Sequence, residues 1–230
     1  MGETGSAVVE YTTLAGDHQA ELEVKRSRFL TYLRRTSTEA QAREFIAELR
    51  RRHFDARHHC SAFLLGPDRV VQRSSDDGEP SGTAGLPMLE ALLKREMPSG
   101  ACDLSDVTAV VVRYFGGVLL GAGGLVRAYS QAVSGAMDSA GLLARRRMAV
   151  FSIDAPHAEA GRWENELRQD GTTVLGTDYG PLSATLRVAV PDGPTAAHDF
   201  TGRLATLTAG AGTAVDYGTE WTDIAVAGHR

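Results

Sequence analysis

Three carboxylates and two hydroxyls lie close together in one glycine-rich segment, the acidic loop, which reads SDDGEPSGTAG at residues 75–85. Its candidate site residues are Asp76, Asp77, Glu79, Ser81 and Thr83. Clustered carboxylates can bind Mg²⁺ or supply a general base. The same residues, interspersed with glycine and proline, are also typical of tight turns. Because no spacing here is diagnostic of a metal site, the loop predicts either a ligand or partner surface or a purely structural turn.

A second glycine-rich segment, the glycine loop, reads RYFGGVLLGAGG at residues 113–124 and is followed by a helical pattern. Its candidate binding residues are Gly116, Gly117, Gly123 and Gly124. Glycines let a ligand approach the backbone, and free amides at a helix N-terminus favour phosphate or carboxylate. The loop is neither a dinucleotide-binding fingerprint nor a Walker loop. The alternative is that its glycines only permit tight turns and close packing.

Charged and aromatic residues flank the glycine loop. Arg113 and Arg127 could clamp a phosphate, and Tyr114 could stack on a base. Alternatively, Arg113 forms a structural ion pair with Asp76 or Asp77. In both cases the two loops, which follow successive strands, are expected to meet in space and form one site.

A histidine and a cysteine share one face of the strand predicted at residues 58–65. His58 and Cys60 would need about four ligands in all to hold zinc, and Cys102 has no Cys-x-x-Cys partner. Adjacent residues on one strand seldom align as nucleophile and base. We therefore expect a buried cysteine and a packed histidine, and we predict no metal and no cofactor.

Apolar periodicity places the two loops between strands and helices in the first part of the chain. The helix at residues 38–53 is expected to be capped by Thr38 with Gln41. The strand at 107–114 is the most apolar and is expected to be central. The remaining elements predicted here are strands at 7–14, 58–65 and 70–74, either two strands or one bent strand within 19–35, and helices at 86–96 and 125–140.

A different pattern extends over about 75 residues in the last part of the chain, in the order β-α-β-β-α-β, which is typical of a ferredoxin-like fold. Strands are predicted at 148–154, 172–179, 182–190 and 213–221, and helices at 156–169 and 194–208. The fold class is thus α+β with two domains, at residues 1–145 and 146–230. The tail beyond Trp221 is expected to be frayed.

Charge is unevenly distributed along the 230 residues. Residues 1–147 carry 19 basic and 18 acidic side chains, whereas residues 148–230 carry 5 and 11, which gives the net charge of −5. The first part could therefore meet an anionic partner, although the whole chain is not a strongly basic nucleic-acid binder. Two cysteines and an N-terminus without a signal-peptide pattern indicate a cytoplasmic protein.

Taken together, these segments resemble the YigZ/IMPACT family over residues 21–140. The resemblance is carried by the acidic loop with Pro87, by VRYFGG at 112–117, by GAGGLVRAYS at 121–130, by KRSRF at 25–29, and by His58 with Cys60. Phe54 follows His53 where relatives are expected to have His-Pro, which affects only a loop shape.

The resemblance implies two layers in the N-terminal domain, a sheet with helices on one face, like the second domain of a small-subunit ribosomal protein. It implies a C-terminal domain like the last domain of elongation factor G, and a role near translation. The eukaryotic relative acts by binding the activator of an initiation-factor kinase, and no catalytic residue transfers from the family. We therefore expect a binding protein for RNA, a ribosome component or a regulatory protein, and no membrane partner. The alternative is an enzyme acting on a phosphorylated or nucleotide ligand, with Asp76, Asp77 or Glu79 as base or Mg²⁺ ligand.

Overall fold

A computed structural model describes residues 8–225 of the chain, which form two compact units. The second unit comprises residues 146–223, and the other described residues belong to the first. The predicted α+β class is confirmed. Within the described residues, no helix is both long and apolar enough to cross a membrane.

The first unit is built around an antiparallel sheet whose strand order is β2-β3-β6-β4-β5. Strand β6 is central, as its apolar sequence predicts. The strands are β1 (Glu10–Leu14), β2 (His18–Val24), β3 (Ser27–Arg35), β4 (His58–Leu65), β5 (Val71–Ser75) and β6 (Val107–Tyr114). The helices are α1 (Glu39–Arg52), α2 (Gly85–Leu93) and α3 (Ala122–Ser139).

Alternate residues of the strands face two different cores. Val111 of β6 packs in the large cluster with Met88 of α2 and Val133 of α3. Val110, its neighbour in sequence, packs in another cluster with Phe45 of α1. The first unit therefore has three layers, with α1 on one face and α2 and α3 on the other. The expectation of two layers with helices on one face was wrong, because β6 is apolar on both faces and each face needs a cover.

Local sequence signals explain how the chain enters these elements. The Thr38 hydroxyl accepts a hydrogen bond from the Gln41 amide at 3.2 Å and caps α1, as predicted. The turn between β2 and β3 is made by Lys25 and Arg26, both with positive φ (49° and 66°). Two such residues match the right-handed twist of a tight hairpin. The hairpin therefore presents two basic side chains at its tip.

The second unit contains the predicted βαββαβ order, with sheet order β10-β7-β9-β8. Its core includes Trp163, Leu186 and Phe200. The predicted fraying beyond Trp221 is wrong for residues 222–225, because β10 continues to Ala225, and the rest of the tail lies outside the described residues. The elements are β7 (Leu142–Ala155), α4 (His157–Gln169), β8 (Thr173–Tyr179), β9 (Ala184–Pro191), α5 (Ala196–Leu207) and β10 (Ala214–Ala225).

Gly116 is the tightest contact between the glycine loop and the sheet. A Cβ added there would lie 2.0 Å from the carbonyl carbon of Arg26. We predict that Gly116→Ala lowers the free energy of unfolding by about 2 kcal/mol or more, because backbone must move to admit the methyl group. Gly135→Ala is the control, since that Cβ meets nothing within 4 Å inside α3. It should stabilise by roughly 0.5–1 kcal/mol. Urea denaturation measures both, and an unchanged midpoint for Gly116→Ala would contradict the close approach.

Candidate functional site

The acidic loop and the glycine loop meet at a buried ion pair. Arg113 Nη1 donates to Glu79 Oε1 at 2.6 Å, and the two side chains are only 8% and 4% exposed. The Tyr129 hydroxyl of α3 donates to the same oxygen at 2.8 Å. The expected partners of Arg113, Asp76 and Asp77, were therefore wrong. One carboxylate instead joins the acidic loop, the end of β6 and α3.

Asp76 caps helix α2 from within the acidic loop. Its Oδ1 accepts from the amides of Ala84 and Gly85 at 3.0 and 2.8 Å, and its Oδ2 accepts from the Gly82 amide at 2.8 Å. Burial alone would raise the pKa of Asp76, but the three amide hydrogen bonds outweigh it and hold that pKa below its usual value. The N-terminus of α2 is thus occupied by an anion that the chain itself supplies.

Asp77 points to yet another set of partners. Its Oδ1 accepts from Arg50 Nη2 at 2.5 Å, and its Oδ2 accepts from the His59 amide at 2.6 Å. The three carboxylates therefore diverge rather than converge on one point. Across the described part of the chain, no three His, Cys, Asp or Glu side chains are grouped to hold a metal ion. The Mg²⁺ interpretation gains no support from this geometry.

The two hydroxyls of the acidic loop differ in role. Thr83 is buried and donates to the Pro80 carbonyl at 2.7 Å, which stabilises the turn that leads into α2. Ser81 is exposed at the tip of the loop. Thr83 is therefore part of the scaffold, and Ser81 remains accessible to a partner.

The glycines of the glycine loop also divide into two groups. Gly117 and Gly121 have positive φ (84° and 71°), which glycine adopts without strain. Gly123 and Gly124 lie in the first turn of α3, which begins at Ala122 and not at the predicted residue 125. An added Cβ at Gly123 would meet nothing within 4 Å, whereas one at Gly124 would lie 3.0 Å from Leu120 Cβ. Gly123 therefore borders open space.

A cleft of about 740 Å³ opens where the two loops meet. Of the predicted site residues, it brings together Glu79, Arg113 and Tyr114. Phe115 and Leu119 are strongly exposed, at 55% and 82% of their surface. The complete lining is Asp55, Ala56, Arg57, His58, Glu79, Pro80, Arg113, Tyr114, Phe115, Leu119, Leu120, Gly121, Ala122 and Leu125. Arg127 is not part of it and is exposed on α3.

Sequence reasoning missed the wall of this cleft that comes from the α1–β4 connection. Asp55, Arg57 and His58 line the cleft because β4 pairs antiparallel with β6, with His58 opposite Arg113. Antiparallel pairing places the start of one strand beside the end of the other. The signal was therefore available once β4 and β6 were assumed to be antiparallel neighbours.

A directed hydrogen-bond chain runs from the α1 face to this wall. The Tyr114 hydroxyl donates to Asp55 Oδ1 at 3.0 Å, so it accepts from His53 Nδ1 at 3.0 Å. His53 Nε2 then accepts from the Tyr32 hydroxyl at 2.8 Å. This chain fixes the His53 tautomer and holds the Tyr114 ring at the edge of the cleft.

Cys60 is a packed core residue, as expected. Its Sγ lies 3.0 Å from the Asp76 carbonyl oxygen and 3.3 Å from the Tyr129 hydroxyl. Burial raises the pKa of the Cys60 thiol to about 12. The thiol is therefore protonated at neutral pH and is not poised as a nucleophile. The His58 ring lies against the acidic loop, where its Nδ1 donates to the Asp77 carbonyl at 2.9 Å.

The fold defines the class as an α+β protein with a cleft between two glycine-rich loops, and comparison with known proteins gives its family. The family model described as the Impact N-terminal domain matches residues 25–137. The IMPACT family member YigZ of Escherichia coli K12 is 40% identical over 190 residues, which cover 82% of this chain and 88% of that relative. The IMPACT family member YvyE of Bacillus subtilis 168 is 46% identical over 155 residues, 67% of each chain. The chain therefore belongs to the IMPACT family.

A solved crystal structure, described only as that of a hypothetical protein, supports the fold. It is 35% identical to this chain, and the two superimpose with a TM-score of 0.58. The match covers 90% of this chain and 97% of that chain.

The buried ion pair gives a sharp stability prediction. Glu79→Gln should lower the free energy of unfolding by about 3–5 kcal/mol, because it leaves the Arg113 charge buried without a counter-charge. Glu90→Gln removes a carboxylate from an exposed ion pair with Lys94 and should change stability little. Urea denaturation of both variants measures the difference. Equal effects would show that the Glu79–Arg113 pair does not hold the loops together.

Two histidines at the α1–β4 connection, His53 and His59, should have pKa values below the ordinary range. Burial lowers the pKa of His53, with Arg52 adding to the effect, and burial also lowers the pKa of His59 although Asp77 opposes it. Both rings are then neutral in the folded protein at pH 7. The unfolded chain binds protons more readily, so stability should fall as pH drops from about 6.5 through the lower folded values. Proton NMR of the imidazole resonances measures both pKa values, and values at or above 6.5 would contradict the burial.

Proposed function

We propose that this protein is a non-enzymatic, cytoplasmic RNA-binding protein that acts near translation. Membership of the IMPACT family supports the link to translation. The observation that carries the RNA proposal is the cleft, in which an exposed aromatic ring, Phe115, stands beside the buried guanidinium of Arg113. The centre of that guanidinium lies 5.7 Å from the centroid of the Phe115 ring. Aromatic surfaces next to cations are how proteins bind unpaired bases and the phosphates that link them.

Charge also favours the first unit as the RNA-binding part. Arg26, Arg57 and Arg127 are exposed and make no ion pair among the described residues. Arg57 lines the cleft, and the turn that carries Arg26 packs against Gly116 of the glycine loop. Such unpaired cations can neutralise phosphates directly. Residues 148–230, which have an excess of acidic side chains, would repel a polyanion.

We further propose two domains, an IMPACT-type domain at residues 1–145 and a ferredoxin-like domain at 146–230. The division of the described residues after Arg145 supports this boundary, although residues 224–225 group with the first unit. In this arrangement the first domain carries the RNA-binding cleft. The acidic second domain is then available for a protein partner, such as a ribosome component or a regulatory protein.

The enzyme alternative has less support. A general base or a Mg²⁺ ligand must reach the substrate or the ion with an available oxygen. Asp76 instead caps α2, Asp77 binds Arg50, and Glu79 binds Arg113 and Tyr129. These bonds assign the carboxylates to architecture, which is the role expected if the loops serve as a binding surface.

RNA binding should depend on salt and on the exposed arginines of the first unit. The logarithm of the association constant for single-stranded RNA should fall linearly with the logarithm of the salt concentration. Arg57→Ala/Arg127→Ala should reduce that slope by roughly 1.4, because about 0.7 is lost for each phosphate contact removed. Fluorescence anisotropy with a labelled oligonucleotide at several salt concentrations measures the slope.

The matched control is Arg162→Ala/Arg168→Ala, which removes the same charge from α4 of the second unit. This variant should bind RNA as the unmodified protein does. Absence of binding at low salt would overturn the RNA proposal. Binding that both double variants weaken equally would show a nonspecific charge effect, and that too would overturn the role of the cleft.

A further inference from the structure

Helix α3 begins at the cleft with backbone amides that have no hydrogen-bond partner among the described residues. Leu125 is the first residue of the helix whose amide finds a carbonyl, that of Gly121 at 2.9 Å. The amides of residues 122–124 have no hydrogen-bond partner among the described residues, and Gly121 supplies no side-chain cap. Gly121 and Ala122 both line the cleft. These donors, together with the positive end of the helix dipole, favour an anion.

Helix α2 shows how the same fold satisfies such a helix start internally. Its N-terminal amides at Ala84 and Gly85 bind the carboxylate of Asp76. No acidic residue lies in the first turn of α3. The acidic residues that line the cleft are Asp55 and Glu79, and each already accepts hydrogen bonds from a tyrosine hydroxyl or from Arg113. Within the described part of the chain, no carboxylate therefore does at α3 what Asp76 does at α2.

A second observation at the same cleft points to a ligand. Arg113 is more than nine-tenths buried, and its side chain lines the cleft. Its Nη1 binds Glu79, but its buried Nε has no hydrogen-bond partner among residues 8–225. Buried donors without an acceptor are rare and call for an explanation. An anion bound in the cleft beside Arg113 would supply acceptor oxygens to the donors of that side chain. Glu79 alone does not provide an acceptor for all of these donors.

The size and the walls of the cleft indicate a ligand that is larger than a bare ion. Its volume of about 740 Å³ falls in the range of small-molecule sites. Exposed Phe115 and Leu119 form an apolar wall next to the helix start. A ring that stacks on Phe115 would lie close to a phosphate seated on the amides of α3.

We propose that the N-terminus of α3 is the phosphate subsite of this cleft and that Phe115 holds the attached nucleobase. The ligand class is a nucleoside monophosphate unit, either within an RNA chain or as a free nucleotide. As an RNA subsite it rests on the proposed function, whereas as a free-nucleotide site it stands independently. The phosphate binds without covalent change, held by backbone amides with Arg113 and Arg57 beside it.

The test uses a carboxylate placed at the start of the helix. Gly123→Asp fits sterically, since an added Cβ meets nothing within 4 Å, and an acidic residue in the first turn stabilises a helix. It should nevertheless weaken binding of adenosine monophosphate and of an oligoadenylate of about six nucleotides by roughly tenfold or more, through repulsion and occupation of the amides. Gly123→Ala is the matched control and should bind like the unmodified protein. Calorimetry on the full chain measures the affinities, and circular dichroism confirms that both variants fold.

Three probes separate the possible outcomes. Phe115→Ala should weaken binding of adenosine monophosphate and oligoadenylate but leave inorganic phosphate unaffected. If only oligoadenylate binds and Gly123→Asp weakens that binding, the ligand is RNA. If adenosine monophosphate binds and oligoadenylate does not, the phosphate subsite stands and the RNA proposal fails. If RNA binds equally to Gly123→Asp and Gly123→Ala, the phosphate subsite is overturned while RNA binding stands. If none of the three probes binds to the unmodified protein, the subsite is likewise overturned.

Discussion

The buried pair of Glu79 and Arg113 is the interaction on which the first unit depends. It joins the acidic loop to the end of the central strand, and Tyr129 ties helix α3 to the same carboxylate oxygen. Two opposite charges taken out of water stabilise a fold only when further hydrogen bonds satisfy them, and the Tyr129 hydroxyl provides one. Because three separate elements meet at this one oxygen, the pair determines where the cleft lies.

The same loops divide their residues between architecture and a free surface. Gly116 is required by the close approach of Arg26, and Asp76 is committed to α2. Gly123 has open space beside it, and Phe115 is exposed. The two loops therefore combine residues that the fold requires with residues that the fold does not use.

The sequence predicted the elements well and their mutual contacts less well. The strand at residues 58–65 and the strand at 107–114 have the predicted bounds, and Thr38 caps α1 as expected. These features are local, since they follow from side-chain periodicity and from one capping bond. That the two loops meet followed from their positions after successive strands. The carboxylate that pairs with Arg113 is determined instead by the directions of the side chains after the turn. The order of the residues does not predict these directions.

Two further differences concern the helices α1 and α3. The apolar residues on both faces of β6 indicate a cover on each face. The expectation of helices on one face followed the family resemblance instead, and so it missed α1 on the second face. The start of α3 at Ala122 contradicts the low helix propensity of its two glycines. In an isolated helix those glycines would fray, but here Leu125 and Tyr129 are buried in the core and fix the helix from its second turn onward.

This anchoring explains how an uncapped helix start can persist. A carboxylate at the first turn of α3 would stabilise the helix, yet none lies there. The burial of Leu125 and Tyr129, together with the Glu79 hydrogen bond, holds the helix without such a cap. The fold thus leaves the backbone amides at the start of α3 without acceptors among the described residues. The buried core supplies the stability that a helix cap would otherwise add. Such an arrangement is stable in the free protein and becomes more stable when an anion binds, because any ligand of the folded state alone shifts the folding equilibrium toward it.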